Sequence, residues 1–273
     1  MLGIQIKTNI KTIIRDPTTL LALFAAFIVF MTSYLPVYVD PDETVFTGEL
    51  AWQNIVVAAA NITELHIKTV LPTFSGVIVA VNLFRDKKNG TFDIIAAGQT
   101  KYVTYYLGKL ISYYIIIAAV CFSFTVLHNI YYLIFMIPTD PNFSLIKVYL
   151  FELAAIMIYY SSTLFVPLAW AVFLSSVTGV GAVGAVFGAA YSYIGYLVPN
   201  MYDTFLGYYI HSIPAMLTFN VRRMGMNGET GLSVYSPEQM TRMGIAAYAS
   251  QIVIAAVLFF ASYFILKRRY TEK

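Results

Sequence analysis

The sequence predicts an all-α integral membrane protein. It has six transmembrane helices, an N-terminal amphipathic interfacial helix, and a short cytoplasmic helix between the second and third spans. Two observations carry this. Hydrophobic residues make up 59% of the 273 residues and charged residues only 11%, against about 25% charge in a soluble domain. Such a chain cannot clothe its own surface in polar groups, so lipid is its expected solvent. The second observation is the spacing of the charges. Runs free of Asp, Glu, Lys and Arg stretch for 23 residues between Asp16 and Asp40, 16 between Lys68 and Arg85, and 30 between Lys109 and Asp140. Two more hold 50 residues between Glu152 and Asp203 and 24 between Arg242 and Lys267.

A helix rises about 1.5 Å per residue, and a hydrocarbon core of about 30 Å needs about 20 residues. Four runs therefore supply one span each. The longest would extend about 75 Å as a helix, enough for two crossings, with Ser175, Ser176, Thr178 and Gly179 marking the hairpin. The expected spans are 18–39, 63–84, 106–128, 150–174, 180–198 and 243–266. The second must begin before Lys68, which leaves Glu64, His66 and Lys68 at its outer end, anchored by snorkelling or lining the mouth of a pathway. The whole chain, 1–273, reads as one membrane domain. The first span is too long, and lacks a cleavage site, for a removable signal.

Orientation follows from the cations. With six spans, Lys7, Lys11, Arg15, Arg85, Lys87, Lys88, Lys101, Lys109, Lys267, Arg268, Arg269 and Lys273 share the side of the termini. Only Lys68, Lys147, Arg222, Arg223 and Arg242 lie opposite. Twelve against five places both termini in the cytoplasm of a plasma (inner) membrane. The cations mark a membrane topology, and no nucleic-acid partner is expected.

At the N-terminus, Ile6, Ile10, Ile13 and Ile14 form one helical stripe, and Lys7, Lys11 and Arg15 a neighbouring one. This amphipathic helix suits the inner headgroup layer, or a cytoplasmic partner, and Asp16-Pro17 breaks it before the first span. Between Arg85 and Lys109, Gly90 is suited to a left-handed helix stop. Thr91 is suited to cap a short helix carrying Asp93 in its first turn. That helix presents Phe92, Ile94, Ile95, Ala96 and Ala97 and ends at Gly98, with Gln99, Thr100 and Lys101 beyond. A short, partly apolar helix at the cytoplasmic face needs a surface to pack on, either membrane or protein.

Several chemistries are absent from the pattern. There is no Walker-type phosphate loop, no His-Glu-x-x-His, and no Gly-x-Ser-x-Gly. His66, His128 and His211 are scattered, and the single Cys121 excludes an internal disulfide and a multi-cysteine zinc site. No catalytic or metal-ligating set is expected. Ionisable residues fall at helix ends, which argues against an ion-coupled secondary transporter or a membrane-embedded enzyme, the two alternative readings. Gly181, Gly184 and Gly188 give the fifth span a small-residue face, for packing within the bundle or for a subunit interface. Many of the 22 tyrosines fall near span ends. Tyr113, Tyr114, Tyr159 and Tyr160 lie deeper and are candidates to line an amphipathic pathway.

The layout, and the loop at Asp86, Gly90-Thr91, Phe92 to Ala97, Gly98 and Gly108-Lys109, resemble the permease subunits of type-2 ATP-binding-cassette (ABC) exporters. The chain differs from the usual pattern in having Asp86 for Glu, and in lacking a proline near Gln99 and an arginine near Tyr102. The resemblance implies that the short helix is a coupling helix, with Asp86, Gly90, Thr91, Phe92, Ile94, Ile95, Gly98 and Lys101 engaging a separate nucleotide-binding ATPase. It implies ATP and Mg on that partner and no cofactor in this chain. It also implies a second permease copy, identical or homologous, with substrate passing outward between the two, and membrane lipid around them. The sparse charge favours an amphipathic substrate: a peptide, an antibiotic or a lipid-like molecule.

Overall fold

The computed structural model describes residues 2–34, 70–91, 95, 101–135, 150, 154, 161, 164–197 and 237–270. Among these, seven helices form and no strand. They are α1 (Leu2–Ile14), α2 (Pro17–Tyr34), α3 (Leu71–Lys88), α4 (Tyr102–Phe135), α5 (Phe165–Thr178), α6 (Gly181–Leu197) and α7 (Pro237–Tyr270). Two are long and apolar enough to cross a bilayer, over Tyr102–Leu127 and Ala249–Arg269. The bent pair α1–α2 makes a third if taken as one span. Shorter apolar helices cover Leu71–Leu83, Phe165–Thr178 and Gly181–Tyr191. The chain is therefore helical with a membrane-spanning character.

Helix ends differ from the charge-gap boundaries. α3 runs to Lys88 and α4 begins at Tyr102, so α3 continues past its apolar run by about a turn and α4 starts about two turns before its own. Expected span 150–174 is represented by α5, which continues to Thr178, and α7 starts six residues ahead of 243. Charge alone does not end a helix when the charge has a partner, and Arg85, Asp86 and Lys109 all have one. The outer-end residues Glu64, His66 and Lys68 lie outside the described residues.

The break at Asp16-Pro17 forms as expected, bending α1 from α2 by 69°. Pro17 takes the first helical position of α2, where its missing N–H costs nothing. Asp16 caps that helix: its Oδ1 accepts from the N–H groups of Thr18 (2.9 Å) and Thr19 (3.2 Å).

Part of the isoleucine stripe of α1 packs against the rest of the chain. Ile13 is fully buried, and Ile10 packs against the same core. The helix lies against α4, where Ser112 Oγ donates to the Ile6 carbonyl at 3.3 Å. The approach is close at Gly108, where a Cβ would stand 3.3 Å from the Gln5 side chain. Protein thus covers most of the apolar stripe, and Ile14 alone of its four members stays exposed.

α3 and α6 make the closest helix pair. A Cβ on Gly76 would lie 2.3 Å from the Gly184 carbonyl oxygen, and one on Gly188 would lie 2.3 Å from that of Pro72. The two backbones are in direct contact, antiparallel, and only glycine fits. Gly184 and Gly188 of the fifth span's small-residue face thus pack against α3. α5 is buried along most of its length, against α3, α6 and α7. It ends in a left-handed Gly179 (φ 73°) whose N–H donates to Ser175 O at 2.9 Å.

Outward, α2 and α7 expose large apolar side chains: Leu21, Phe24 (61%) and Ile28 on one, Val253, Val257 and Phe260 (67%) on the other. Surfaces of this extent are stable against lipid, not water.

Candidate functional site

Among the described residues, the ion pairs gather where α1–α2, α3 and α4 meet. Arg85 and Asp86 are neighbours in the last turn of α3, so they point about 100° apart and reach different helices. Arg85 pairs with Asp16 at the α1–α2 elbow. Asp86 pairs with Lys109 Nζ at 2.7 Å and accepts from the Tyr105 hydroxyl at 2.6 Å. One helix end is thereby tied to two neighbours by charge. Asp16 both caps α2 and holds Arg85.

Lys109 lies seven residues into α4, about 10 Å along the axis, and is only 4% exposed. A buried ammonium is tolerable only when paired and hydrogen-bonded. Asp86 supplies that pairing, and the Tyr105 hydroxyl satisfies the same carboxylate oxygen.

Beside this cluster the first turns of α4 carry Tyr102, Tyr105 and Tyr106, all buried. Tyr102 and Tyr106 contact Tyr263 of α7, with ring centroids 5.1 and 5.5 Å apart. Tyr106 donates its hydroxyl to the Phe259 carbonyl at 2.7 Å. These contacts fix α7 against α4. Ten residues beyond Phe259, Arg269 reaches the α5–α6 hairpin and donates to the carbonyls of Ser176 (2.9 Å) and Val177 (3.3 Å). A cation at a helix C-terminus is favoured by the dipole and satisfies carbonyls that have no helical partner. Gly179 leaves room for it: a Cβ there would meet the guanidinium at 2.5 Å. One end of the bundle therefore gathers Asp16, Arg85, Asp86, Lys109, Arg269 and the hairpin. These residues share one membrane face in the charge-based topology.

The loop after α3 opens as the sequence indicates. Asn89 N–H donates to Arg85 O at 2.8 Å, and Gly90 is left-handed at φ 70°. Thr91 is already helical, half-buried, and Ile95 is helical too. Ile95 is 7% exposed and belongs to the main core cluster of this chain, so its side chain packs inward. Lys101 is exposed. Phe92, Ile94 and Gly98 lie outside the described residues, as do Tyr159 and Tyr160.

Of the deep tyrosines, Tyr113 is 1% exposed within the core, and its hydroxyl has no hydrogen-bond partner among the described residues. Tyr114 stacks on Phe165, with centroids 4.1 Å apart, and its hydroxyl is 3.2 Å from Ser161 Oγ. Gly181 and Gly184 are buried at the start of α6, and Gly184 also abuts Ser175 Oγ and the Ala171 carbonyl.

Sequence reasoning did not single out Asp16, Arg85, Lys109, Tyr105 or Arg269 as a set. Local signals existed for two of them. Asp-Pro-Thr-Thr is a helix-start pattern, and a lysine inside an expected span calls for a carboxylate partner. Which carboxylate answers it depends on how three helices converge.

Comparison with models of known protein families gives no match for this chain, and comparison with curated proteins gives none.

Proposed function

We propose that this chain is the membrane-spanning subunit of an ATP-driven exporter of the ABC type. It works as one of two permease copies with a separate nucleotide-binding ATPase that carries ATP and Mg. Six spans are proposed: α2, α3, α4, the segment ending in α5, α6 and α7, with both termini cytoplasmic in the plasma membrane. The twelve-to-five distribution of cations supports that orientation. The substrate is proposed to be amphipathic, crossing between the two copies.

The observation that carries the reading is the joint at the end of α3. The left-handed Gly90 turn leads into a helical Thr91 and follows directly on Arg85 and Asp86, which are tied to the α1–α2 elbow and to α4. A force applied to the turn would reach three membrane helices through ion pairs, not through flexible loop. That is the mechanical requirement for a site where a cytoplasmic motor couples to a membrane bundle.

The test is purification of the full chain from its native membrane, with identification of a Walker-motif ATPase, followed by reconstitution of the complex. Phe92→Ala should weaken ATPase association by about thirtyfold, as truncation of an interface anchor does at about 2 kcal/mol. Gly90→Val should lower transport by straining the turn. Purification free of any such ATPase, or parental coupling in both variants, would overturn the reading.

A further inference from the structure

The packing of α1 leaves one of its faces exposed among the described residues. At about 100° per residue, Ile4, Lys7, Thr8, Lys11, Ile14 and Arg15 fall within an arc of about 120°. Every one of them is exposed, with Ile4 at 74% and Ile14 at 50%. Arg15 continues the turn, its N–H donating to Lys11 O at 3.3 Å. The opposite side, with Ile10 and Ile13, packs inward against the core.

The three cations have no carboxylate partner among the described residues. The ion pairs of this region use Arg85 and Lys109 instead. Uncompensated positive charge on one helical face calls for an anionic partner. Two exposed isoleucines interleaved with it call for an apolar one at the same place.

The orientation of α1 decides between candidate partners. α2 exposes Leu20, Leu21, Phe24, Phe27, Ile28, Val29 and Met31, so its environment is hydrocarbon. A helix bent 69° from it lies close to the plane of the membrane surface. It borders α4 at Gly108 and Ser112, with its other side turned away from the bundle. That side meets the headgroup layer, where phosphates and upper acyl carbons lie within a few ångströms of each other.

We propose that the outward face of α1 binds anionic phospholipid headgroups. Lys7, Lys11 and Arg15 hold the phosphates, and Ile4 and Ile14 sit among the upper acyl carbons. Arg15 directly precedes Asp16, so bound lipid steadies the elbow that holds Arg85. This inference is independent of the exporter reading. It requires only that α2 sits in a bilayer.

The experiment uses the full chain in neutral detergent micelles, with Cys121→Ala and a fluorophore on Gly3→Cys. A Cβ at Gly3 meets nothing within 4 Å, so the label is tolerated. Short-chain phosphatidylglycerol and phosphatidylcholine are titrated against the reporter. Each cation near an anionic surface contributes about fivefold, so phosphatidylglycerol should bind at least about tenfold more tightly, with an upper limit on the order of a hundredfold. Added salt should reduce that preference.

K7Q/K11Q/R15Q should abolish it, and Thr8→Lys in that background should restore about fivefold. Arg268→Gln should leave it intact. Equal binding of the two lipids by the parent overturns the proposal, as does selectivity retained in the triple variant. Inorganic phosphate should not move the reporter. A response to soluble polyglutamate as strong as to phosphatidylglycerol would identify an acidic protein as the partner and refute the lipid assignment.

Discussion

Removing the Asp86 carboxylate is the sharpest test of the joint. In Asp86→Ala the Lys109 ammonium, 4% exposed and about 10 Å inside α4, loses its ion-pair partner at 2.7 Å. Tyr105 loses its acceptor at 2.6 Å in the same change. Breaking a buried pair from one side costs about 3–5 kcal/mol, because an uncompensated charge remains. Removing both charges is different in kind. Asp86→Ala/Lys109→Met leaves no buried ion and keeps much of the lysine stem volume, so most of the loss should return. The two changes should therefore couple by about 2 kcal/mol or more in a double-mutant cycle. Arg85→Ala provides the internal scale. Its side chain is 40% exposed, water screens the charge, and the loss should be about 1 kcal/mol or less. The assay is reversible unfolding in mixed micelles, with each variant compared at a common denaturant. If Asp86→Ala costs less than about 1 kcal/mol, or the double variant falls as far as the sum of the singles, Lys109 is not held as described.

Other outcomes follow from the same geometry. Gly188→Val places a side chain where only 2.3 Å separates a Cβ from the Pro72 carbonyl. It should force α3 and α6 apart at about 3 kcal/mol or more, above ordinary overpacking, while Gly3→Ala should be neutral in the same unfolding assay. Gly179→Ala combines an unfavourable positive φ with a clash against Arg269. It should cost about 1–2 kcal/mol, more than Arg269→Gln, and proteolysis at the α5–α6 hairpin should report both. Topology is tested by cysteine at Asn89 in a Cys121→Ala background. An impermeant thiol reagent should fail to label it in intact cells and should label cysteine at Asn227, and the reverse pattern would invert the orientation.

Much of the architecture was legible along the chain because it depends on local physics. Charge-free runs mark apolar helices, and the breaks at Asp16-Pro17, Gly90 and Gly179 follow from ring geometry and from glycine's access to positive φ. All three breaks form where the residues indicated. The helix limits were less legible. A scan for charge ends α3 before Arg85, but a charge that finds a partner in space does not end a helix, and α3 continues to Lys88.

Local sequence is enough for the helical class, the membrane character and the break points. Each of these is a sum over single residues or near neighbours. Tertiary structure alone decided what the helices do to one another. It paired Arg85 with Asp16, 69 positions away, and brought Arg269 onto a hairpin 93 positions back at Ser176. It set Gly188 against Pro72 and turned Ile10 and Ile13 of α1 inward, leaving its lysines outward. The physical reason is that an amphipathic stripe or an unpaired charge states a need without naming its partner. Only the convergence of helices distant in sequence settles which need meets which.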